Sequence, residues 1–571
     1  MKHWLTSIKN PLLIFGFFSF AALIILAPLT DNKMIVANSP IFDYLSAIIQ
    51  AKAALSEGQF PLRDTLINND GFRYPLFQFY SPSTYMMAAF IYKWMTPNNP
   101  YEAYKILLWI ALVCGGIYMY RLTNLLLRSK RTALLSGCIY LFSPFYLIVI
   151  DQLNSLNQGV ALGVLPAVLF YTLKFYSTPS SIKNFLAMNI SWYLLITIHL
   201  ITFFYSSFTL FIILSLITCT NRKIKNLCFT LISYLSACLL AIWYLAPLAM
   251  LSKYFYMSSS ALGLSISHLY GIPLLSLLSF TSNYLPGPSY HQASQILPSM
   301  GAPIIFGVGA CAYLLLNGKI EKSTQTQWIF ISLIVSLILF ILIWSPIHIL
   351  ERLTHNPILD QHKWCLLSQL SWMGAIFTAW IISYLTDHKI SYIHILIGMI
   401  LIISSSSSWL PPVNTDVKSV TQFLKASDRN FLKIPYLIDA KRHPEYILHS
   451  AVLNENETIL ASASLKKCVN NKNVLVCKIP TTKQINLIEL PVLYFPELLY
   501  VTINGKESPY TSVLRAGYVI AAITPTSPGN VNEVKVEFRG LQWANHLSIA
   551  AWVFLLIAFI FYLSKKVMNN A

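Results

Sequence analysis

Apolar runs of bilayer-spanning length recur along almost the whole chain. The first is Pro11 to Leu29, and others lie near residues 103–123, 132–150, 158–177, 184–199, 201–219, 228–249, 300–317, 327–346, 364–385, 391–410 and 546–564. The hydrocarbon core is about 30 Å thick, so a helix of about 20 mainly apolar residues crosses it with every backbone polar group satisfied internally. The pattern predicts about twelve transmembrane helices, and it requires the stretch 184–219 to turn back as a tight hairpin near His199.

Charge supports that count. Arg128, Lys130 and Arg131, then Lys174 and Lys183, then Arg222, Lys223 and Lys225, then Lys319 and Lys322, Lys389, and Lys565 with Lys566 all fall on one side under this threading. By the positive-inside rule that side is the cytoplasm, which predicts a multi-pass bacterial inner-membrane protein with both termini cytoplasmic. Lys2, His3 and Lys9 before the first run resemble a signal-peptide n-region, but the run's length and the lack of a small-x-small site after it favour a retained anchor.

Three connections on the opposite side are long: Asp31–Pro100, Leu251–Ser299 and Pro411–Asn545. In the first, Ile41, Leu45, Ile48 and Leu55 share a helical face opposite Asp43, Gln50 and Glu57, with Gly58 as a stop, which reads as an amphipathic helix on the membrane surface. Tyr74–Met95 is apolar but interrupted by Pro75 and Pro82. It reads as re-entrant or interfacial, since a further span would move Arg128, Lys130 and Arg131 outside.

From about Ala426 to Gly540 the polar content rises and Val534, Val536 and Phe538 alternate, while Asn504-Gly505 signals a hairpin. The expected organisation is a membrane domain over 1–410, an extracytoplasmic β-sandwich-like domain over 411–545, and a last span with a short tail over 546–571. Cys468 and Cys477 flank an Asn-rich turn, where they either pair as a disulfide in an oxidising compartment or stand as free thiols.

Composition narrows the function. The chain is 56% hydrophobic and 11% charged, with a net charge of +18 spread over loops rather than gathered in a patch, so nucleic acid is not an expected partner. HExxH, CxxC, GxGxxG and GxxxxGK[ST] are absent from the sequence, which leaves zincin and nucleotide-cofactor chemistry without support. No cofactor is expected, and a divalent metal is left open.

The segment Gly58-Gln59-Phe60-Pro61-Leu62-Arg63, followed by Gly71-Phe72-Arg73-Tyr74-Pro75-Leu76-Phe77-Gln78-Phe79-Tyr80-Ser81-Pro82, resembles bacterial membrane proteins labelled 6-pyruvoyl-tetrahydropterin-synthase-related, near the YfhO-type proteins and the GT-C glycosyltransferases. Weaker likeness extends through Asp151–Pro166, Gln361-His362-Lys363-Trp364, and Leu490–Pro496 with Ile503-Asn504-Gly505. The resemblance implies a GT-C-like fold and transfer of a sugar from a polyprenyl-phosphate donor to a glycan, lipid or protein acceptor in envelope glycan synthesis, with a carboxylate of the first outer loop as base. In this chain Ser39-Pro40-Ile41-Phe42-Asp43 stands where relatives often place an acidic residue and a His, and Asn157-Gln158-Gly159 replaces their Arg-Gly and Glu.

Such a transfer needs a base for the acceptor and cations for the departing phosphate. Outer carboxylates are Asp43, Glu57, Asp64, Asp70, Asp151, Glu351 and Asp360, of which Asp43, Asp64 and Asp151 are the catalytic candidates. Arg63, Arg73, Tyr80, His362 and Lys363 are the substrate-binding candidates, with Arg352 and His355 as further outer cations. Each has a plainer reading: Asp43 as the polar face of an interfacial helix, Asp64 and Asp70 as turn residues, Arg63 and Arg73 as headgroup anchors, and His362 and Lys363 as interfacial anchors. Phe77, Phe79, Tyr80 and Tyr85 are either a groove for an isoprenoid or sugar, or an aromatic belt. A noncatalytic scaffold or lipid-handling protein, or a lipid or glycan transporter, are the competing functions; the spans' poverty in ionisable residues argues against an ion relay.

Overall fold

A computed structural model describes residues 11–29, 34–36, 41–65, 73, 75–97, 99–251, 255–257, 274–279, 283–285, 295–297, 299–317, 324–344, 362–385, 417–419, 436–438, 468–471, 473–480, 487–515, 518–526 and 531–568. The apolar runs form α1 (Pro11–Ile25), α4 (Pro100–Leu127), α5 (Lys130–Leu141), α6 (Leu156–Ser177), α7 (Ile182–Ile198), α8 (Leu200–Asn221), α9 (Ile224–Leu240), α11 (Ala302–Leu316), α12 (Thr324–Trp344), α13 (Leu367–Leu385) and α14 (Gln542–Met568). In the first long loop lie α2 (Ile41–Ser56) and α3 (Pro82–Trp94), and α10 (Ile242–Leu251) follows α9. The expected run 391–410 lies outside the described residues.

Among the described residues, six helices are long and apolar enough to cross a membrane, or eight spans if α5 with Pro144–Asp151, and α9 with α10, each count as one. The chain is therefore a multi-pass helical membrane protein. α10 departs from α9 by 78°.

The turn at His199 is real. Trp192 on α7 stacks on Phe211 on α8 with centroids 6.4 Å apart, and residues 19 apart in a continuous helix would stand about 28 Å apart at 1.5 Å per residue. His199 itself caps α8, its Nδ1 accepting from the Thr202 amide at 3.2 Å. At the far ends of these helices the Tyr176 hydroxyl meets Thr218 Oγ1 at 2.8 Å, and Asn226 Nδ2 donates to the Tyr176 carbonyl at 2.8 Å. Those contacts gather the segments that carry Lys174, Arg222, Lys223 and Lys225 at one end, here the basic face.

The opposite end is the loop face, and backbone pairing ties its three long loops together. β1 (Met34–Val36) pairs with β5 (Val417–Ser419), and β2 (Phe255–Met257) pairs with β6 (Tyr436–Ile438), both antiparallel. β3 (Asn283–Leu285) and β4 (Gln295–Leu297) form a hairpin within the second loop. Strands cannot pair across a bilayer core, so all three loops share one side.

The polar segment forms two antiparallel sheets. β7 (Cys468–Asn471), β8 (Val474–Pro480), β10 (Leu499–Ile503), β11 (Lys506–Glu507) and β14 (Val531–Phe538) make one in the order β11-β10-β14-β8-β7. β9 (Ile488–Leu493), β12 (Thr511–Arg515) and β13 (Tyr518–Ile523) make the other, in the order β12-β13-β9. Alternation decides which face is inward: Val534, Val536 and Phe538 are buried while Val531 and Lys535 are exposed. Asn504 and Gly505 turn β10 into β11 with φ of 48° and 82°, the conformation that selects Asn-Gly. Cys468 lies opposite Cys477 across β7 and β8, and the two are joined as a disulfide.

One reading needs correction. The sequence laid residues 41–57 on the membrane surface, but α2 packs against α3, and its polar Ser46 and Gln50 are buried. Of the polar stripe, Gln50 is buried, while Asp43 and Glu57 stay half-buried.

α4 and α6 pack most closely where Gly159-Val-Ala-Leu-Gly163 meets α4. A Cβ on Gly163 would collide with the backbone of Ala111, and one on Gly115 would come within 3.3 Å of Gly163 Cα. Small residues drive such approaches because lipid supplies no hydrophobic gain for helix association. Gly163→Ala is expected to push the pair apart and cost about 1–3 kcal/mol, seen as a lower unfolding temperature in detergent.

Candidate functional site

On the loop face, the start of α2, the segment entering α3, and the start of α6 converge. Asp43 sits in the first turn of α2, half-buried, and its charge reaches Tyr80 and Tyr85. The Tyr44 hydroxyl meets Ser155 Oγ at 3.2 Å and hydrogen-bonds Tyr80, which also bonds Asn157. Asn157 Nδ2 donates to the Tyr85 hydroxyl at 3.4 Å. Burial raises the Tyr80 phenol above its ordinary value, with Asp43 adding to the effect and the bonds to Tyr44 and Asn157 opposing it. Tyr80 thus stays a neutral donor beside a carboxylate.

Asp151 follows on the same rim. It lies in a π-helical turn, Ile148–Gln152, four residues before Ser155, and its charge reaches Tyr104 at the start of α4. Both its carboxylate oxygens are buried and have no hydrogen-bond partner among the described residues. The Oδ1 of Asn157 is likewise buried and unbonded. Buried carboxylates normally carry partners, which makes Asp151 the exceptional group of this segment.

The entry to α13 also reaches this face. Gln158 Nε2 contacts Cys365 Sγ at 3.4 Å, and Trp364 packs on Phe145 at 5.9 Å between centroids, which brings the entry to α13 against the start of α6. That entry carries His362, half-buried, and Lys363, 9% exposed. His362 lies within electrostatic reach of His199, and Ser83 on α3 bonds Thr197 beside His199 at 2.7 Å. The structure therefore brings Asp43, Tyr80, Asp151, His362 and Lys363 to one region of the loop face.

Asp64, Arg63 and Arg73 are engaged elsewhere. Asp64, 3% exposed, forms an ion pair with Arg73, 4% exposed, at 2.6 Å and accepts from Gln59 Nε2. Burial pushes the Asp64 carboxyl upward while Arg73 and Gln59 pull it back. Arg73 also donates to the Asn473 carbonyl at 3.3 Å, and its backbone bridges to β9 through Pro491 and Leu493. Arg63 donates to Gln78 Oε1 at 2.6 Å and Asn545 Oδ1 at 2.7 Å, and lies 5.2 Å from the Trp243 ring. Burial lowers its pKa to about 10, which still leaves it cationic at neutral pH. Both guanidinium groups bind protein groups, as a headgroup anchor or phosphate clamp in open solvent would not.

Asp70, Glu351, Arg352, His355 and Asp360 lie outside the described residues. Tyr44, Ser155, Asn473 and Asn545 escaped the sequence reading, and Gln59 and Gln78 entered it only as members of the Gly58–Pro82 motif, with no role assigned. Asn157 and Gln158 gave the one available signal, two amides at the mouth of an apolar helix. Among the described residues no three His, Cys, Asp or Glu side chains gather as metal ligands.

No family model matches the chain, and no curated protein matches it. Among solved structures it is similar to ArnT from Cupriavidus metallidurans bound to undecaprenyl phosphate, at 12% identity over 68% of this chain and 63% of that one, with a TM-score of 0.40. It is also similar to the archaeal oligosaccharyltransferase AglB from Archaeoglobus fulgidus in complex with an inhibitory peptide and a dolichol-phosphate, at 11% identity over 73% of this chain and 56% of that one, TM-score 0.42. The apo oligosaccharyltransferase of Archaeoglobus fulgidus gives 12% identity, 80% and 59% coverage and a TM-score of 0.41. The chain spans about three fifths of the length of these proteins. At TM-scores of 0.40 to 0.42 the likenesses carry no argument about what the chain does.

Proposed function

We propose that the chain is a GT-C-like glycosyltransferase that moves a sugar from a polyprenyl-phosphate donor to a glycan, lipid or protein acceptor on the loop face, with that face extracytoplasmic. The observation that carries the reading is the rim itself: a half-buried carboxylate at Asp43, a buried carboxylate without a described partner at Asp151, and Lys363 with His362 beside it at the entry to α13. Asp43 takes the proton from the acceptor as its heteroatom attacks the anomeric carbon. The bond from that carbon to the phosphate oxygen breaks, and the polyprenyl phosphate leaves with its charge held by Lys363 and His362. Tyr80, kept protonated by burial, donates to the sugar, and Asp151 with Asn157 binds the positive or donor group that the reactants bring.

Purified full-length protein in nanodiscs, given undecaprenyl-phosphate-linked sugars and a panel of glycan, lipid and peptide acceptors, is expected to release undecaprenyl phosphate with stoichiometric acceptor glycosylation. Binding of undecaprenyl phosphate without turnover across the panel would sink the transferase and favour the lipid-handling alternative.

A further inference from the structure

The loop from Gln59 to Tyr80 is held by two elements distant in sequence, through a network that the chemistry at the rim does not use. Its inner members are buried: Gln59 at 2%, Asp64 at 3%, Arg73 at 4% and Gln78 at 0% exposure. On one side stands the β domain. Asn473, in the β7–β8 turn, offers its carbonyl to Arg73 at 3.3 Å and its Oδ1 to Gln59 Nε2 at 2.6 Å, while Arg73 N donates to the Pro491 carbonyl at 2.9 Å. On the other side stands α14, whose Asn545 accepts from Arg63 at 2.7 Å and donates back to the Arg539 carbonyl at 2.9 Å. Gly540, at φ 68°, leaves no room for a Cβ beside the Arg63 guanidinium, so the junction between β14 and α14 is shaped around that group.

The two halves meet in the loop. Gln59 Oε1 accepts from the Arg63 amide at 2.6 Å and the Asp64 amide at 3.0 Å, joining the Arg63 side to the Arg73 side. Gln78 accepts from Arg63 at 2.6 Å, donates to the Trp243 carbonyl on α10 at 2.9 Å, and through its amide bonds the Arg63 carbonyl at 2.9 Å. Next to Gln78, Phe79 packs on Phe495 of the β domain at 5.2 Å, and the following residue is Tyr80 of the rim. We propose that Arg63 and Arg73 are positioning residues, clasping the β domain and the last helix to the first loop so that Tyr80 is held in place at the Asp43 rim.

The chemistry of the clasp explains its composition. Arg63 is half-buried against neutral amide oxygens, without direct carboxylate contact, and a guanidinium that loses one such acceptor loses a strong charge-assisted bond. Amides also serve as donor and acceptor at once, which lets Gln59, Gln78 and Asn545 each hold two elements.

The test is hydrogen exchange by mass spectrometry on the full-length protein in nanodiscs. Asn545→Leu is expected to raise exchange about tenfold or more in peptides covering 59–80, and also at 473–476 in the β domain, which Asn545 does not touch. Asn545→Asp keeps an acceptor for Arg63 but loses the donation to the Arg539 carbonyl, so it is expected to leave both regions protected while exchange rises only at the β14–α14 junction, 539–545. Asn473→Gly keeps the left-handed backbone of φ 71° while deleting the amide, and is expected to raise exchange at 59–65. Faster exchange confined to α14, or equal exchange for the Leu and Asp variants at 545, would overturn the clasp. Turnover is a separate arm that rests on the transferase reading: a clasp defect lowers kcat in Asn545→Leu and is restored in Asn545→Asp. The exchange result stands whether or not any sugar is transferred, so the two ideas fail independently.

Discussion

Asp43→Asn is expected to lower turnover about 10²- to 10⁴-fold while donor binding and folding are retained, because Asn fills the same space and cannot accept the acceptor's proton. The assay is single-turnover transfer with excess enzyme, alongside undecaprenyl phosphate binding. Asp151→Asn serves as the comparison: its carboxylate is more deeply enclosed, and its loss is expected to weaken ground-state binding as well as turnover. Near-normal turnover in Asp43→Asn with collapse in Asp151→Asn would exchange their roles. Full activity in both would remove the catalytic reading of the rim.

Asp64→Ala is expected to be among the most destabilising single changes on the loop face, at about 3–5 kcal/mol, because it leaves Arg73 buried without its counter-charge. The double variant Asp64→Ala with Arg73→Met is expected to recover much of that loss, since removing both charges also removes the burial cost. Thermal unfolding in detergent measures both, and additivity of the two single changes would show that the pair is not coupled. A catalytic role for Asp64 predicts the opposite pattern, lost turnover with an unchanged melting temperature.

The apolar helices were legible because a bilayer imposes one period and one length, although six, or eight counting bent pairs, are long enough to cross among the described residues against the twelve expected. The turn at His199 was legible for the same reason, as no helix of that length fits between the flanking Lys183 and Arg222. The Asn504-Gly505 turn was legible because its dihedrals select those residues. What failed to show was anything set by distant pairing. Gln50 reads as a water-facing residue yet is buried in the fold, and Arg63 reads as a phosphate ligand until Asn545 is found beside it. At the rim, Asp43, Asp151, His362 and Lys363 were visible as outer ionisable groups, whereas Tyr44, Ser155 and the unbonded Asn157 oxygen depend on how α2 and α6 meet.

The partners of the first loop are also the last to be made. β1 waits for β5, Arg73 for Asn473, and Arg63 for Asn545 on the final helix. During biogenesis the loop therefore emerges with a strand edge unpaired and with Arg73 and Arg63 held only by Asp64 and Gln78 of the same loop, and contacts of such long sequence separation close late. A nascent chain halted before residue 545 lacks the acceptor that Asn545 gives Arg63, so this half of the clasp closes only after the β domain has been made.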